Sequence, residues 1–153
     1  MKKYLLFGFL ILSTFGFSQN YKTAVGIKGG FPGYGSLNGK HLFGSKSAIE
    51  ASIGGGSNTI WVQGLYEIVN PLDDKFNWYY GAGPDFGFFS SKSIITGERN
   101  SNFILGVSAL IGIEYTFEDF PLNLALDTGP SLSLVPSAGF NWGGAVAVRY
   151  AIK

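Results

Sequence analysis

Residues 103–134, FILGVSALIGIEYTFEDFPLNLALDTGPSLSL, decide the fold because they alternate between two kinds of side chain. From Phe103 to Phe117 every odd-numbered position is apolar or aromatic, whereas the even-numbered positions are mostly small or polar. After a short turn the alternation continues from Leu122 to Leu134, with the leucines on one face. Successive side chains of a β-strand point to opposite faces of its sheet. We therefore predict a hairpin with one apolar face and one face of glycine, hydroxyl and carboxyl groups.

Turn residues divide the rest of the chain into runs of the same kind. The separators are clusters of Gly, Pro, Asn, Asp and Ser, and the short connections suit neighbouring antiparallel strands. No segment repeats every 3.6 residues, so we predict an all-β chain. If residues 31–35 bend one strand instead of separating two, the strand count falls from eight to seven. The eight runs are 21–31, 35–43, 47–55, 58–68, 76–89, 102–117, 121–134 and 139–152.

Residues 1–18 have the pattern of a cleaved signal peptide. Lys2 and Lys3 precede an apolar stretch, and the small residues Gly16 and Ser18 precede the expected cut. Residues 19–153 then form one barrel domain. Without the two lysines, 9 of the 11 basic residues remain against 10 acidic ones, which argues against nucleic-acid binding. The chain has no cysteine, so it has no disulfides and no thiol chemistry.

Charged residues are absent from the apolar face of every run. A lipocalin-like soluble barrel would turn that face inward, leaving an outer surface far below the usual 25–35% or so of charged residues. A membrane barrel turns it towards lipid, where a Lys or Arg at the midplane costs about 2–4 kcal/mol. We therefore predict an eight-stranded antiparallel up-and-down transmembrane β-barrel in the cell outer membrane, with Glu114 and Asp127 facing Arg149. The predicted lumen charge network is Lys28, Lys40, Glu50, Glu67, Asp85, Glu114, Asp127 and Arg149.

Aromatic residues with the same outward parity lie near both ends of the runs, as in the two girdles of outer-membrane barrels. The longest connection, 90–101, falls at the end expected to face outward. Pro84 and Pro130 lie on the lipid face, where each removes a ladder hydrogen bond, and we expect bulges there. The predicted girdle is Tyr21, Phe43, Tyr66, Trp78, Phe88, Phe103, Tyr115, Phe117, Phe140, Trp142 and Tyr150.

Four stretches of the predicted strands are NWYYGAGPDFGF (77–88), LGVSALIGIEYTF (105–117), PLNLALDTGPSLSL (121–134) and AVAVRY (145–150). Together they resemble a family of small outer-membrane β-barrel proteins from Bacteroidota. The resemblance implies an outer-membrane barrel delivered by the barrel-insertion machinery, but no biochemical activity. Chains of this family usually end on an aromatic residue. Here Tyr150 fits that signal, but three further residues follow it.

The sequence predicts no enzyme, no cofactor and no metal site. His41, the sole histidine, points outward by parity, away from any partner that could make it a catalytic base. The lumen acids suit a paired plug, because buried charge must be compensated. We therefore expect a structural or surface-display role, with outer-membrane lipid as the main partner. Two alternatives stay open: a narrow channel or small-solute site at Glu114, Asp127 and Arg149, and a soluble periplasmic lipocalin-like binder.

Overall fold

The protein forms eight β-strands in the part of the chain that the structure describes. A computed structural model describes residues 21–30, 35–56, 58–92 and 99–152, so the predicted signal peptide lies outside these residues. Within them, no helix is long and apolar enough to cross a membrane. The strands are β1 (Thr23–Gly30), β2 (Ser36–Phe43), β3 (Ser47–Gly56), β4 (Thr59–Pro71), β5 (Phe76–Lys92), β6 (Arg99–Thr116), β7 (Leu122–Val135) and β8 (Gly139–Ile152).

The strands close into one antiparallel barrel. Each pairs with the next along the chain, and β1 pairs with β8 from Thr23↔Ile152 to Gly30↔Ala145. The predicted eight-stranded up-and-down topology is therefore confirmed, and the seven-strand alternative is wrong. Closure leaves no sheet edge along the paired region, because each paired strand has a neighbour on both sides. We name the end that holds Thr23 and Ile152 the lower end, and the opposite end the upper end.

Alternate side chains face the interior and the outer surface, as the sequence pattern predicts. In β8, Ala147 and Arg149 are buried, whereas Val148 and Tyr150 between and beside them are exposed. The outward apolar side chains remain accessible, and Ile27 in β1 is 62% exposed. The barrel therefore has its polar face inside and its apolar face outside.

Inward-facing glycines allow the small barrel to curve tightly. At Gly26 an added Cβ would lie 2.0 Å from the carbonyl oxygen of Val148 on the neighbouring strand. Only a residue without a Cβ permits so close an approach of two backbones. The frequent glycines of the polar face therefore serve closure of the barrel.

The β5–β6 hairpin is the tallest part of the wall. Its ladder runs without interruption from Phe76↔Tyr115 to Lys92↔Arg99. The connection expected at residues 90–101 is therefore shorter than predicted, since the strands reach Lys92 and restart at Arg99. Residues 93–98 lie outside the described part of the chain.

Pro84 interrupts the β4–β5 ladder and Pro130 interrupts the β6–β7 ladder, but neither produces the bulge expected from the sequence. The register places Gly64 opposite Pro84 and Ala109 opposite Pro130, and neither pair is formed. Proline has no N–H, so the two facing carbonyls lose their ladder donors. The register shift that marks a bulge lies between Leu105 and Gly106 instead.

The interior charge network and the outer surface

Seven charged side chains meet inside the lower part of the barrel. Each comes from a different strand and occupies an inward position of that strand. All are at least nine-tenths buried. We name this set the interior charge network: Lys28, Lys40, Glu50, Glu67, Glu114, Asp127 and Arg149.

Arg149 lies at the centre of the network. Its Nη2 forms a close hydrogen-bonded ion pair with Glu50 Oε2. Its Nε donates to Asn38 Oδ1, and its Nη1 donates to Asn123 Oδ1 over 3.1 Å and lies 3.9 Å from Glu114. The guanidinium is therefore compensated by charge on one side and held in place by two amides.

The two lysines connect the remaining acids. Lys28 Nζ lies 2.7 Å from Glu50 and 2.8 Å from Asp127. Lys40 Nζ lies 2.9 Å from both Glu67 and Glu114. Each ammonium thus bridges two carboxylates from different strands, which ties the walls of the barrel together.

Lys40 also lies over an aromatic ring. Its Nζ is 3.9 Å from the centroid of Tyr79, a fully buried residue of β5. The Lys40–Glu67 contact is an ion pair by distance only. Neither oxygen of Glu67 has a hydrogen bond within the described residues, because the contact is poorly aligned for one. Glu67 is the least well satisfied member of the network.

The structure does not place Asp127 against Arg149 as expected from the sequence. In the β7–β8 ladder Asp127 pairs with Ala145, four residues from Arg149 along β8, or about 13 Å at the usual rise of a strand. The short carboxylate instead reaches Lys28, and it accepts a 3.0 Å hydrogen bond from the Tyr79 hydroxyl.

Tyr21 does not belong to the predicted outer girdle. It precedes β1, so strand parity does not govern its direction, and its side chain is buried inside the lower end. Its hydroxyl lies 3.0 and 3.1 Å from the two oxygens of Glu114, and Asn77 donates to the same carboxylate over 3.2 Å. Sequence reasoning missed Tyr21 and Tyr79 as interior residues, although the inward parity of Tyr79 could have revealed it.

Asp85 faces the interior but lies apart from the network. It is half-buried and accepts hydrogen bonds from Gln63, over 2.7 Å, and from the Ser108 hydroxyl. No cation of the described chain lies within ion-pair distance of it. Of the eight predicted lumen charges, it alone has only neutral partners.

The other ten predicted girdle residues lie on the outer surface, exposed or partly exposed. Near the lower end Tyr115 packs against Phe76 and Phe117, with 4.7 Å between ring centroids in each pair. Near the upper end Phe88 and Phe103 pack at 5.1 Å. Aromatic contacts therefore occur near both ends of the apolar surface.

His41 is exposed on the outer surface of β2. Its Nδ1 lies 2.8 Å from the hydroxyl of Thr23, its ladder partner on β1. None of its contacts reaches the interior charge network.

The lower interior holds a network of buried, oppositely charged side chains. Three cations hold four carboxylates there. Among residues 21–30, 35–56, 58–92 and 99–152 there is no group of three or more His, Cys, Asp or Glu side chains that could hold a metal ion. No known protein family, curated protein or solved structure matches this chain.

Proposed function

We propose that this protein is an outer-membrane β-barrel with a charge-plugged lumen and a structural or surface-display role. The observation that carries the proposal is the reversed distribution of side chains, with the charges enclosed and the apolar residues outside. Lipid is the solvent that suits this arrangement, because it accepts the apolar surface and penalises exposed charge.

The outer surface is the strongest support for membrane insertion. Ile111, Leu126 and Val146 lie near mid-height on adjacent strands, and each is about half exposed. Apolar patches on soluble monomers rarely exceed a few hundred Å², whereas here the apolar positions continue around the whole barrel. The closed ladder also satisfies the backbone of most strand residues, which a membrane-spanning sheet requires.

The interior charge network supports a closed lumen. An eight-stranded barrel leaves an interior that side chains fill. Separating Arg149 from Glu50 would leave two buried charges without their partners, at a cost of about 3–5 kcal/mol. The same charged interior is unsuited to the apolar ligand that a lipocalin-like binder would hold.

The two ends of the barrel suggest its orientation. The lower turns are short, and the β5–β6 hairpin extends the upper end. Outer-membrane barrels place short turns in the periplasm and longer segments outside the cell. We therefore assign the upper end to the cell surface, where it would display its loops. Insertion by the barrel-insertion machinery and membership of the Bacteroidota family stay predictions.

Membrane insertion can be tested with a charge placed on the outer surface. Full-length protein expressed in a Gram-negative host should resist carbonate extraction from membranes and migrate heat-dependently on SDS gels. Ile111→Lys places a cation in the middle of the apolar surface, where lipid should destabilise it by about 2–4 kcal/mol and reduce the folded, heat-modifiable form. Phe120→Lys, in the exposed turn after β6, is the matched control and should fold as the wild type does.

A protein found only in the soluble periplasm would overturn the proposal, as would an Ile111→Lys variant that is more soluble and equally stable. The closed lumen has its own test in planar bilayers. Steady ion current through the wild-type barrel would contradict a plugged lumen and favour the narrow-channel alternative.

A further inference from the structure

Glu67 lies on an apolar stretch of the inner wall. Leu65 and Val69, its neighbours on the inward face of β4, are both buried. Its ladder partners are Ala48 on β3 and Gly81 on β5, and neither has a polar side chain. Glu67 itself is 0% exposed. An ionised carboxylate at this position therefore has neither water nor a polar ladder partner to replace its hydration.

Glu67 alone among the acids of the interior charge network accepts no hydrogen bond. Both of its carboxyl oxygens are buried without a donor from the described residues. Each of the other three acids accepts at least one hydrogen bond, from a lysine, an arginine, a tyrosine or an asparagine. An ionised carboxylate can only accept hydrogen bonds, so the loss of its hydration is uncompensated where donors are missing.

The cation beside Glu67 is shared with other groups. Among the described residues only Lys40 lies within ion-pair distance of it, at 2.9 Å. The same ammonium donates a hydrogen bond to Glu114 over 2.9 Å and lies over the ring of Tyr79. One positive charge thus faces two carboxyl groups, and its aligned hydrogen bond goes to Glu114. Lys40 can fully compensate only one of the two acids.

The other titratable groups around Glu67 come from both neighbouring strands and from across the lumen. Glu50 pairs with Leu65 in the β3–β4 ladder, which makes it a diagonal neighbour of Glu67 with like charge. Tyr79 pairs with Val69 and is the diagonal neighbour on β5. The groups that approach from the other elements are Lys40 of β2, Glu114 of β6, Arg149 of β8 and Tyr21 before β1.

The charges of the network do not balance, since three cations face four carboxyl groups. We propose that Glu67 is a proton-binding site, which supplies the missing positive charge by holding one proton near neutral pH. With that proton the network is neutral as a whole, and Lys40 compensates Glu114. A protonated carboxyl group is uncharged and can donate a hydrogen bond, so its burial costs far less than that of a carboxylate. The site goes beyond the proposed function and does not depend on it.

Infrared spectroscopy detects such a proton directly. An exposed glutamate loses its proton at about pH 4.3. The protein purified in detergent should nevertheless show the carbonyl stretch of a protonated carboxylic acid at pH 6, and Glu67→Gln should remove this band. Asp85→Asn is the matched control, because Asp85 faces the interior outside the network, and this variant should keep the band. A wild-type protein without the band would overturn the proposal, as would a band that disappears only in Asp85→Asn.

The pH dependence of stability gives an independent test. The folded barrel should hold one proton more than the unfolded chain, so the folding equilibrium constant should fall by up to about tenfold per pH unit above pH 4.3. The fall should end once the folded protein also releases the proton. Glu67→Gln resembles the neutral acid but does not titrate, so it should remove this slope and have a higher urea midpoint than the wild type at pH 9.

Glu50→Gln is the contrasting variant, since Glu50 has two cationic partners, Lys28 and Arg149. It should lower the urea midpoint throughout the same pH range. A Glu67→Gln variant that keeps the wild-type slope, or that is less stable than the wild type at pH 9, would overturn the proposal. Failure here would leave membrane insertion untouched, because both measurements are made in detergent.

Discussion

The lower and upper halves of the interior are built from the same kind of strand but differ in how their charges are satisfied. In the lower half, every cation of the network lies within 2.9 Å of an acid from another strand. In the upper half, Asp85 has only the neutral donors Gln63 and Ser108. The cations of the lower half are therefore all paired with acids, whereas the acid of the upper half has no cationic partner among the described residues.

Side-chain length explains this difference. Lys, Arg and Glu are long enough to cross the lumen and meet side chains from distant strands, as Arg149 of β8 meets Glu50 of β3. The upper positions carry Asp85, Ser108 and Ser131, whose short side chains stay near the wall. Long residues fill a narrow barrel, and short residues leave a cavity in it.

The largest expected effect comes from removing the central cation of the lower half. Arg149→Met keeps much of the side-chain volume but leaves Glu50 and its neighbours with excess buried negative charge. We expect a loss of about 3–5 kcal/mol in the free energy of unfolding, measured by urea titration in detergent with tryptophan fluorescence.

A second substitution shows whether that loss arises from charge. Adding Glu50→Gln to Arg149→Met removes the acid that the guanidinium compensates, so part of the stability should return. If the two losses simply add, Arg149 acts through packing, and the contrast between the two halves is not electrostatic.

Neutralising one acid in each half should give unequal effects. Glu114 contacts Lys40 and Arg149 and is hydrogen-bonded to Tyr21 and Asn77. Glu114→Gln should therefore cost about 1.5–3 kcal/mol, the range for hydrogen bonds to charged groups.

The matched substitution in the upper half is Asp85→Asn. Its partners are neutral, and the Ser108 hydroxyl can reverse its role and accept a hydrogen bond from the new amide. We expect a loss of about 1 kcal/mol or less in the same urea titration. Equal losses for the two variants would mean that the lower network and the upper group are energetically alike.

The strand pattern made the two faces of the barrel predictable. Period-2 alternation placed Lys40, Glu50 and Arg149 on one face, and in a closed barrel that face must point wholly inward or wholly outward. The eight strands of the structure differ from the predicted runs by only a few residues at most ends.

Partners inside the lumen were not predictable, because they depend on stagger between strands. Asp127 and Arg149 share a face, but the β7–β8 register separates them along the barrel. Tyr21 lies before the first strand, where parity has no meaning. The gap in the β6–β7 ladder, where Ala109 lies opposite Pro130, likewise becomes visible only once the register is known.

The smallest effect is expected for an ion pair outside both halves. Lys75 in the β4–β5 turn lies 3.2 Å from Glu118, and both side chains are about half exposed. The hydrogen bond and charge of Glu118 raise the pKa of Lys75 above its usual value. A raised lysine pKa means that any stabilisation is complete below the unfolded-state pKa and is lost only as the pH rises through the folded-state pKa. Because the pair is exposed to solvent, Lys75→Met should change the urea midpoint very little, and the small difference should stay constant between neutral pH and pH 9 and be abolished by salt. A loss comparable to that of Arg149→Met would show that burial is not what separates strong from weak ion pairs in this barrel.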